Sequence, residues 1–457
     1  MADMTAVILA AGMGTRMKSE IPKVLHKVNG ISMIEQVIRA VKKAGCASCL
    51  AITGHKSEMV HDALGDTVEY AEQKEQLGTG HAVMQAVPYL EGRAGYVLVV
   101  CGDTPLLRGE TIRGLIDACR EKQAAASILT AKLDDPFGYG RVLRDEAGNM
   151  TSIVEQKDGT PEQLAVKEIN TGTYCFDIQE LLAALPRLDC NNAQGEYYLT
   201  DVFEIMIREG KTVVPVEAAD AEETMGVNSR IQLAAADKVL RRRKAEELMS
   251  EGVTIIDPDS VYIEQDVVVG RDTVLYPGTI LQGRTVIGKR CVIGPDTQME
   301  NVLCGDGNHL NRVYAHDCEI GNENEAGPFV HLRPGTKLHD HIKIGNFVEV
   351  KNSDIGDGTK LPHLIYCGDA DVGQKVNMGC GSVTVNFDGK NKHRTVIEDH
   401  AFIGCNTNLV APVHIGKRAF TAAGSTITKD VPGEALSVAR AKQKNIEHWV
   451  DDDTYKD

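Results

Sequence analysis

The chain has 457 residues, 42% of them apolar, and a formal net charge of -16. That length exceeds what one hydrophobic core usually organises and supplies material for two. The acidic balance would repel nucleic acid and anionic membrane surfaces over most of the molecule, so the expected partners are small molecules, with no nucleic acid and no membrane.

The first apolar run, Val7 to Ala11, ends at Gly12. It is too short for a signal-peptide core or a membrane span and no later stretch comes closer to one, which predicts a cytoplasmic protein. The twelve cysteines follow no framework spacing and read as reduced thiols. Cys46 and Cys49 form one Cys-x-x-Cys, without a second pair or a nearby histidine, and Cys49 to Ile52 reads as a strand entering the core.

From residue 4 to about 228, short apolar runs (Ala6 to Leu9, Cys49 to Thr53, Tyr96 to Val100) alternate with helical patterns such as Met33 to Lys43 and Glu110 to Lys122. This predicts an open α/β sheet of parallel strands covered by helices, with ligands at the strand carboxyl ends. The first strand runs into Leu9-Ala-Ala-Gly-Met-Gly-Thr-Arg-Met17. Gly12-x-Gly14 exposes backbone N–H groups suited to phosphate oxygens, and Met17 stands where a dinucleotide fingerprint would have its third glycine. Arg16 and Lys23 supply the fixed cations that hold two phosphorylated substrates together. Asp103, within Cys101-Gly-Asp-Thr-Pro105, places a carboxylate at the ligand end of the sheet, either as a turn residue or as a Mg²⁺ ligand beside the phosphates.

A polar helix is predicted to start near Asn228-Ser229 and to stop before Gly252, with Arg241-Arg-Arg-Lys244 on a solvated face. From Ile263 the pattern changes to a six-residue period: Ile263, Val269, Leu275, Leu281, Ile287 and Ile293, with small or β-branched residues four places on (Val267, Thr273, Thr279, Thr285, Cys291, Thr297). The period resumes from Ile320 to Val350 and from Ile397 to Ile427. This predicts a hexapeptide solenoid with aliphatic side chains stacked inside. The register breaks between Val350 and Ile355, between Leu361 and Val372, and after Thr384, where Asn386-Phe-Asp-Gly-Lys390 is inserted. Regular coils are scaffold, and irregular ones are candidate sites.

His363 lies in one break and suits a general base for acyl transfer to an amine. Arg333, Lys351, Tyr366 and Asn377 recur at coil spacings, so stacking is expected to bring them toward one edge, with chemistry suited to a sugar phosphate. His339-Asp-His341 reads as a turn, and Asp451-Asp-Asp453 as a solvated tail.

The glycine loop with Pro22-Lys23-Val-Leu-His26, Glu72-Gln73 with Leu77-Gly-Thr-Gly-His81, Gly138-Tyr-Gly-Arg141, Ile153-Val-Glu-Gln156, Glu168-Ile-Asn-Thr-Gly172 and Gly226-Val-Asn228 occur in an order that resembles one enzyme family, the bifunctional N-acetylglucosamine-1-phosphate uridyltransferases and glucosamine-1-phosphate N-acetyltransferases. The resemblance spans essentially the whole chain. It implies an α/β Rossmann-like nucleotidyltransferase domain (1–228), a long linker helix (229–251) and a left-handed parallel β-helix acetyltransferase domain with a C-terminal tail (252–457). The implied assembly is a homotrimer with acetyl-transfer sites between subunits. Two alternatives are a single-activity sugar-1-phosphate nucleotidyltransferase with a structural or regulatory solenoid, and a non-catalytic exchange-factor subunit. His363 with its four companions counts against the first, and Arg16, Lys23 and Asp103 against the second.

Carried onto these positions, the resemblance implies that Leu9, Ala10, Ala11, Gly12, Lys23, Gln73, Gly78, Thr79, Cys101 and Gly102 hold the uridine nucleotide and that Gly140, Glu155 and Asn170 hold the N-acetylated sugar. Asp103 and Asn228 would ligate Mg²⁺, with Arg16 and Lys23 stabilising charge. Arg333, Lys351, Tyr366 and Asn377 would hold glucosamine-1-phosphate, with His363 as base. Cys380, Asn386, Phe387, Cys405, Ala423 and Arg440 would contact acetyl-CoA. UTP and acetyl-CoA are the implied co-substrates. The chain departs from the family pattern at Cys101 (usually Tyr), Cys380 (Ala), Cys405 (Ser), Phe387 (Tyr) and Ile365 (a small hydroxyl residue), with an expected loss on the order of 1 kcal/mol for each missing hydrogen bond.

Overall fold

The computed structural model describes residues 4–450, so the Asp451-Asp-Asp453 run lies outside the described residues. The chain divides between Leu240 and Arg241 into two compact units.

In the first unit, β1 (Thr5–Leu9), β2 (Ser48–Thr53), β3 (Glu69–Glu72), β4 (Tyr96–Cys101), β5 (Ala126–Lys132), β6 (Arg141–Arg144), β7 (Met150–Val154), β8 (Glu168–Asp177) and β9 (Val213–Glu217) form one sheet. Successive side chains of β1 enter opposite layers. Ala6 and Ile8 pack with Ile34, Val37 and Val41 of helix Met33–Lys43 and with Ile112 and Leu115 of helix Gly109–Glu121. Val7 packs on the other side with Ile52, Val99, Phe176 and Phe203. Burial on both faces is why these strands read as continuous apolar runs. Helix Met33–Lys43 begins with a capping box, Ser32 Oγ accepting from Glu35 N while the Glu35 carboxylate accepts from Ser32 N, and gives way to Gly45 at φ 102°.

The sheet order is β9-β5-β8-β4-β1-β2-β3, with β6 and β7 as a hairpin beside β8. Strands β1 to β4 pair in parallel, as does β9 with β5, but β8 is antiparallel to both β4 and β5. The expected all-parallel sheet is therefore mixed. A strand buried on both faces carries the same apolar pattern in either direction, so its polarity is set by the hairpin that turns the chain back. Register shifts between Asn170 and Tyr174, where Gly172 takes φ 78°. Leu9, Ile52 and Cys101 pair side by side, so the segments after β1, β2 and β4 leave the sheet at one edge.

Helix Arg230–Ser250 crosses the division between the units. It starts with Ser229 Oγ accepting from Gln232 N at 3.3 Å while Gln232 Oε1 accepts from Asn228 N at 2.8 Å. The basic run on this helix is less solvated than expected. The Arg241 guanidinium lies 3.7 Å from the centre of the Tyr262 ring, and Lys244 is buried and paired with Glu247 at 2.9 Å. Long aliphatic stems let cations cover apolar surface, which charge counting along a sequence does not register.

The second unit is a parallel β-helix. Its coils run round three sides: Val274–Leu275 pairs with Val292–Ile293, Ile280–Gln282 with Gln298–Glu300, and Val286–Ile287 with Leu303–Cys304. Ile263, Leu275, Leu281, Ile287 and Ile293 are all buried in one core. The threonines four places on are buried too, and their hydroxyls tie coils together. Thr273 Oγ1 donates to Gly288 O at 2.9 Å and accepts from Cys291 N at 3.0 Å. The core continues in step to Met299 and then on where the six-residue period lapses, through Cys304, Leu310 and Ala315.

Candidate active sites

A cavity of about 360 Å³ opens at the carboxyl ends of β1 and β4, lined by Leu9, Ala10, Ala11, Gly12, Lys23, Gln73, Gly78, Thr79, Cys101 and Asp103. These are all sequence-predicted positions. Gly14 takes φ 61°, and a Cβ there would stand 2.7 Å from Lys23 Cβ, so only glycine lets the loop fold back against that lysine. A Cβ on Gly12 would meet nothing within 4 Å, which leaves the loop backbone open to a ligand. Buried Gln73 spends its Nε2 on Gly78 O at 3.0 Å and His81 Nδ1 at 3.1 Å, so Oε1 is the end left to read a base edge.

The Lys23 ammonium bridges Asp103, in a short ion pair, and Asn228 Oδ1 at 2.9 Å. Asp103 and Asn228 are held together by backbone as well, since Val227 N donates to Asp103 O at 2.9 Å. A carboxylate and a carboxamide oxygen converging on one cationic group form a hard-oxygen donor set that fits Mg²⁺. Arg16 lies on the short turn Thr15–Met17 and is exposed, away from the cavity lining. Burial, with the Asp103 carboxylate beside it, pushes the Cys101 thiol up to about 12, so Cys101 is a neutral wall residue near Gly172 O.

Gly140, Glu155 and Asn170 meet at the hairpin: Asn170 N donates to Gly140 O at 2.9 Å, and a Cβ on Gly140 would lie 3.2 Å from Glu155 Oε1. Burial pushes the Glu155 carboxyl above its ordinary range, while Thr200 Oγ1 donates to it at 3.3 Å. Glu155 also lines a neighbouring acidic cavity of about 430 Å³ with Asp158, Asp189, Asp201 and Glu204. The sequence reading did not single out Gln76, whose Nε2 holds Ala11 O at 2.8 Å, or Glu196 on the cavity wall. Gln76 stands directly before Leu77 within the Glu72–His81 motif, which was the available signal for it, whereas no motif quoted above includes Glu196.

On the β-helix, Arg333, Lys351 and Tyr366 share the second side. Arg333 Nη1 donates to Glu349 Oε1 at 2.7 Å, Glu349 pairs in register with Tyr366, and Lys351 Nζ lies 3.8 Å from Asp369. Asn386 Nδ2 reaches Tyr366 Oη at 3.3 Å and also the Asp369 carboxylate, so the inserted loop folds onto this group. The Lys392 ammonium next to Lys351, together with burial, holds the Lys351 pKa below its usual range. Burial raises the Asp369 carboxyl, but hydrogen bonds from Asn352 and Asn386 outweigh it and leave the net shift downward. Asp369 and Lys392 are residues the sequence reading passed over; the broken register around them was the available signal.

Asn377 does not join this group. It pairs with Lys360 and Phe402 on the first side, lining a cavity of about 530 Å³ with Pro362 and Lys343. The step from Leu361 to Val372 carries the chain across a corner, so equal spacing along the sequence does not give an equal side. His363 is exposed at that corner, opposite Asn346 in register. Cys380, Cys405 and Ala423 continue that same corner as a column in the following coils: Gly381 N donates to His363 O at 3.4 Å, Asn406 N to Cys380 O at 2.7 Å and Gly424 N to Cys405 O at 2.8 Å. Arg440 follows directly on Ala439, whose N–H bonds Ser425 Oγ at 3.2 Å just past that column. Phe387 is exposed beside buried Asn386. Ile365 is buried in the solenoid core. His339 bonds Asp354 at 2.8 Å and Asp340 caps Asn322 N at 2.6 Å, which are turn roles.

Residues 6–160 match the MobA-like NTP transferase domain, and residues 394–429 match the bacterial transferase hexapeptide repeat. The chain is 55% identical to the bifunctional protein GlmU of Geobacillus sp. (strain WCH70), covering 98% of this chain and 97% of that one. It is 52% identical to that of Halalkalibacterium halodurans over 98% and 99% of the two chains, and 49% identical to that of Listeria monocytogenes serovar 1/2a over 96% of each. The chain belongs to the GlmU family. As a GlmU-family protein it is a bifunctional enzyme of UDP-N-acetylglucosamine synthesis, with nucleotidyltransferase and acetyltransferase activities. Similarity that runs through both halves leaves no support for a solenoid that is merely structural or for a non-catalytic subunit.

Proposed function

We propose that the cavity beneath Gly12 is the uridylyl-transfer site and that the β-helix edge bearing His363 is the acetyl-transfer site, within domain limits of 1–228, 229–251 and 252–457. The observation that carries the first assignment is Lys23 bridging Asp103 and Asn228 beside the glycine loop. In this reading the loop N–H groups of 11 and 12 and Lys23 bind the triphosphate, the Ala10 N–H being bonded to Ile52 O at 2.9 Å, while Gln73 reads uracil and Gly140, Glu155 and Asn170 hold the N-acetylated sugar. Mg²⁺, held by Asp103 and Asn228, would neutralise charge on the phosphates. Arg16 closes from the exposed turn as a sugar-phosphate oxygen attacks the α-phosphorus and pyrophosphate leaves. Pyrophosphate release from UTP, Mg²⁺ and N-acetylglucosamine-1-phosphate tests this, and no release would end it.

For acetyl transfer, Arg333, Lys351 and Tyr366 bind the sugar phosphate, Asn377 its hydroxyl groups, and Cys380, Asn386, Phe387, Cys405, Ala423 and Arg440 acetyl-CoA. The glucosamine nitrogen attacks the thioester carbon, His363 takes the proton lost by that nitrogen, and the coenzyme leaves as its thiol. Comparing His363→Ala with wild type for coenzyme release decides the role of the base, since equal rates would remove it.

The homotrimer belongs to this proposal. Within one chain Asn377 lies on a different side of the coil from Lys351 and Tyr366, and in this reading a second copy closes the site. Phe329, Phe347 and Leu364 also stand exposed in successive coils at φ 61°, 58° and 54°, and the two phenylalanines stack at 5.3 Å. Large apolar side chains held outward in the left-handed region suit a covered edge. Light scattering should give close to three times the 49.6 kDa of one chain. A cytoplasmic location completes the reading; no helix among the described residues is long and apolar enough to cross a membrane.

A further inference from the structure

Cys380 and Cys405 occupy the same corner position in consecutive coils. Asn377 and Met378 pair with Phe402 and Ile403, and the ladder continues through Asn406 N donating to Cys380 O at 2.7 Å. A Cβ on Gly379 would lie 2.5 Å from Cys405 N, so the two corners are in direct backbone contact. Each cysteine precedes a left-handed residue, Gly381 at φ 72° and Asn406 at φ 53°, so both corners turn the same way and send their side chains in the same direction. Flanking residues Met378, Ser382, Ile403 and Thr407 are buried, whereas Cys380 is half-buried and Cys405 exposed.

Adjacent parallel rungs stand about 4.8 Å apart, inside the range of about 4.4–6.8 Å between the α-carbons of a disulfide. With the two side chains parallel the β-carbons stand about one rung apart, just beyond the roughly 3.5–4.5 Å of a disulfide, so a bridge combines side-chain rotation with a closure of the corners by a few tenths of an ångström. Among the described residues the other free thiols are buried, apart from Cys101 and Cys190, and those two lie in the other unit.

We propose that Cys380 and Cys405 are a reversible dithiol/disulfide pair, oxidised by low-molecular-weight disulfides, whose oxidised form excludes acetyl-CoA. The role rests on the assignment of this corner column to the coenzyme. One cysteine, as thiolate, attacks a sulfur of the incoming disulfide, forming a mixed disulfide and expelling one small thiolate. The second cysteine attacks the protein-bound sulfur of that mixed disulfide, closing the bridge and expelling the other. The two protein thiols lose two electrons and two protons, and the small disulfide gains both as two thiols. The bridge draws the corners together and removes the two S–H groups that face the coenzyme. Free thiols in a reducing environment then keep the acetyl site open.

The test uses the full-length protein treated with oxidised glutathione, followed by non-reducing peptide mass mapping. The expected result is a Cys380–Cys405 crosslink, acetyl transfer lowered at least tenfold and restored by dithiothreitol, and unchanged pyrophosphate release. In the double variant C380A/C405S the ratio of acetyl-transfer rates with and without oxidant should be near one. Desulfo-coenzyme A, which lacks the thiol, should slow crosslinking in the wild type. No crosslink in the absence of coenzyme overturns the dithiol pair and leaves the coenzyme assignment standing. A crosslink that forms equally fast with desulfo-coenzyme A and leaves acetyl transfer unchanged overturns the exclusion of acetyl-CoA and, with it, the coenzyme assignment of this corner.

Discussion

The Lys23 ammonium donates to the Asn228 carboxamide oxygen at 2.9 Å, joining residues 205 positions apart in sequence. The same ammonium pairs with Asp103, so three segments of the first unit are cross-linked by one charge at the mouth of the nucleotide cavity. Asp103→Ala removes both the partner of that lysine and an oxygen donor. Pyrophosphate release should fall by about 100-fold or more, in line with losing a charge-stabilising group at a transferring phosphate, while acetyl transfer stays unchanged. Asn228→Ala should fall less and need more Mg²⁺ for half-maximal rate. Wild-type kinetics in either variant would remove these residues from the site.

Gly14 and Gly12 should separate on substitution. Gly14→Ala places a methyl 2.7 Å from Lys23 Cβ at a φ of 61°, with a backbone cost of roughly 1–2 kcal/mol. A melting temperature lower by several degrees, together with about tenfold slower pyrophosphate release, is expected. Gly12→Ala meets no protein atom within 4 Å. Its melting temperature should hold while KM for UTP rises, and a matching loss of stability would contradict the open face of the loop.

Asp201 supplies a pH dependence. Burial, and then the Glu204 carboxylate, push its carboxyl up to about 6 from an ordinary 3.8. A raised carboxyl favours the protonated form in the folded state, so its contribution is least unfavourable below pH 3.8 and stability falls as pH rises through about 6. Asp201→Asn should therefore gain stability at pH 7, by about 1 kcal/mol once solvent screening is allowed for, and lose that advantage near pH 4. Denaturant titrations of both proteins at the two pH values check the sign. An advantage that is equal at both would show that Asp201 titrates normally.

Leu281 and Val286 are five residues apart on one coil, yet the first is fully buried and the second 39% exposed. Leu281→Ala should destabilise the β-helix by about 2–5 kcal/mol, and Val286→Ala by less than about 0.5 kcal/mol. Chemical denaturation followed by circular dichroism distinguishes them.

Much of this was legible in the sequence because the two periods, alternating α/β and six-residue, are direct images of burial. Leu281 and Ile287 announce an interior column whatever the chain does elsewhere. What stayed hidden depends on direction and corners. The antiparallel β8 reads like its parallel neighbours because both faces are covered. Asn377 carries a chemistry suited to the sugar phosphate but lies past a corner that residue counting cannot see. Cys304 and Ala315 fill the core although each stands only five residues after the preceding core position. Lys392 and Asp369 gain their meaning only when the inserted loop folds onto Tyr366, a contact made across the coil stack rather than along the chain.

The buried threonines give the β-helix a fixed unit of length. Thr273 is bonded to Gly288 ahead of it and to Cys291 in the coil above, so a residue added within a side would pull a hydroxyl away from two partners at once. Extra chain is tolerated where it can leave the stack at a corner, as it does between Asn386 and His393, where His393 N returns to Asn386 O at 2.8 Å. New loops on this scaffold are thus confined to its corners, and chemistry acquired through inserted chain has to appear there first.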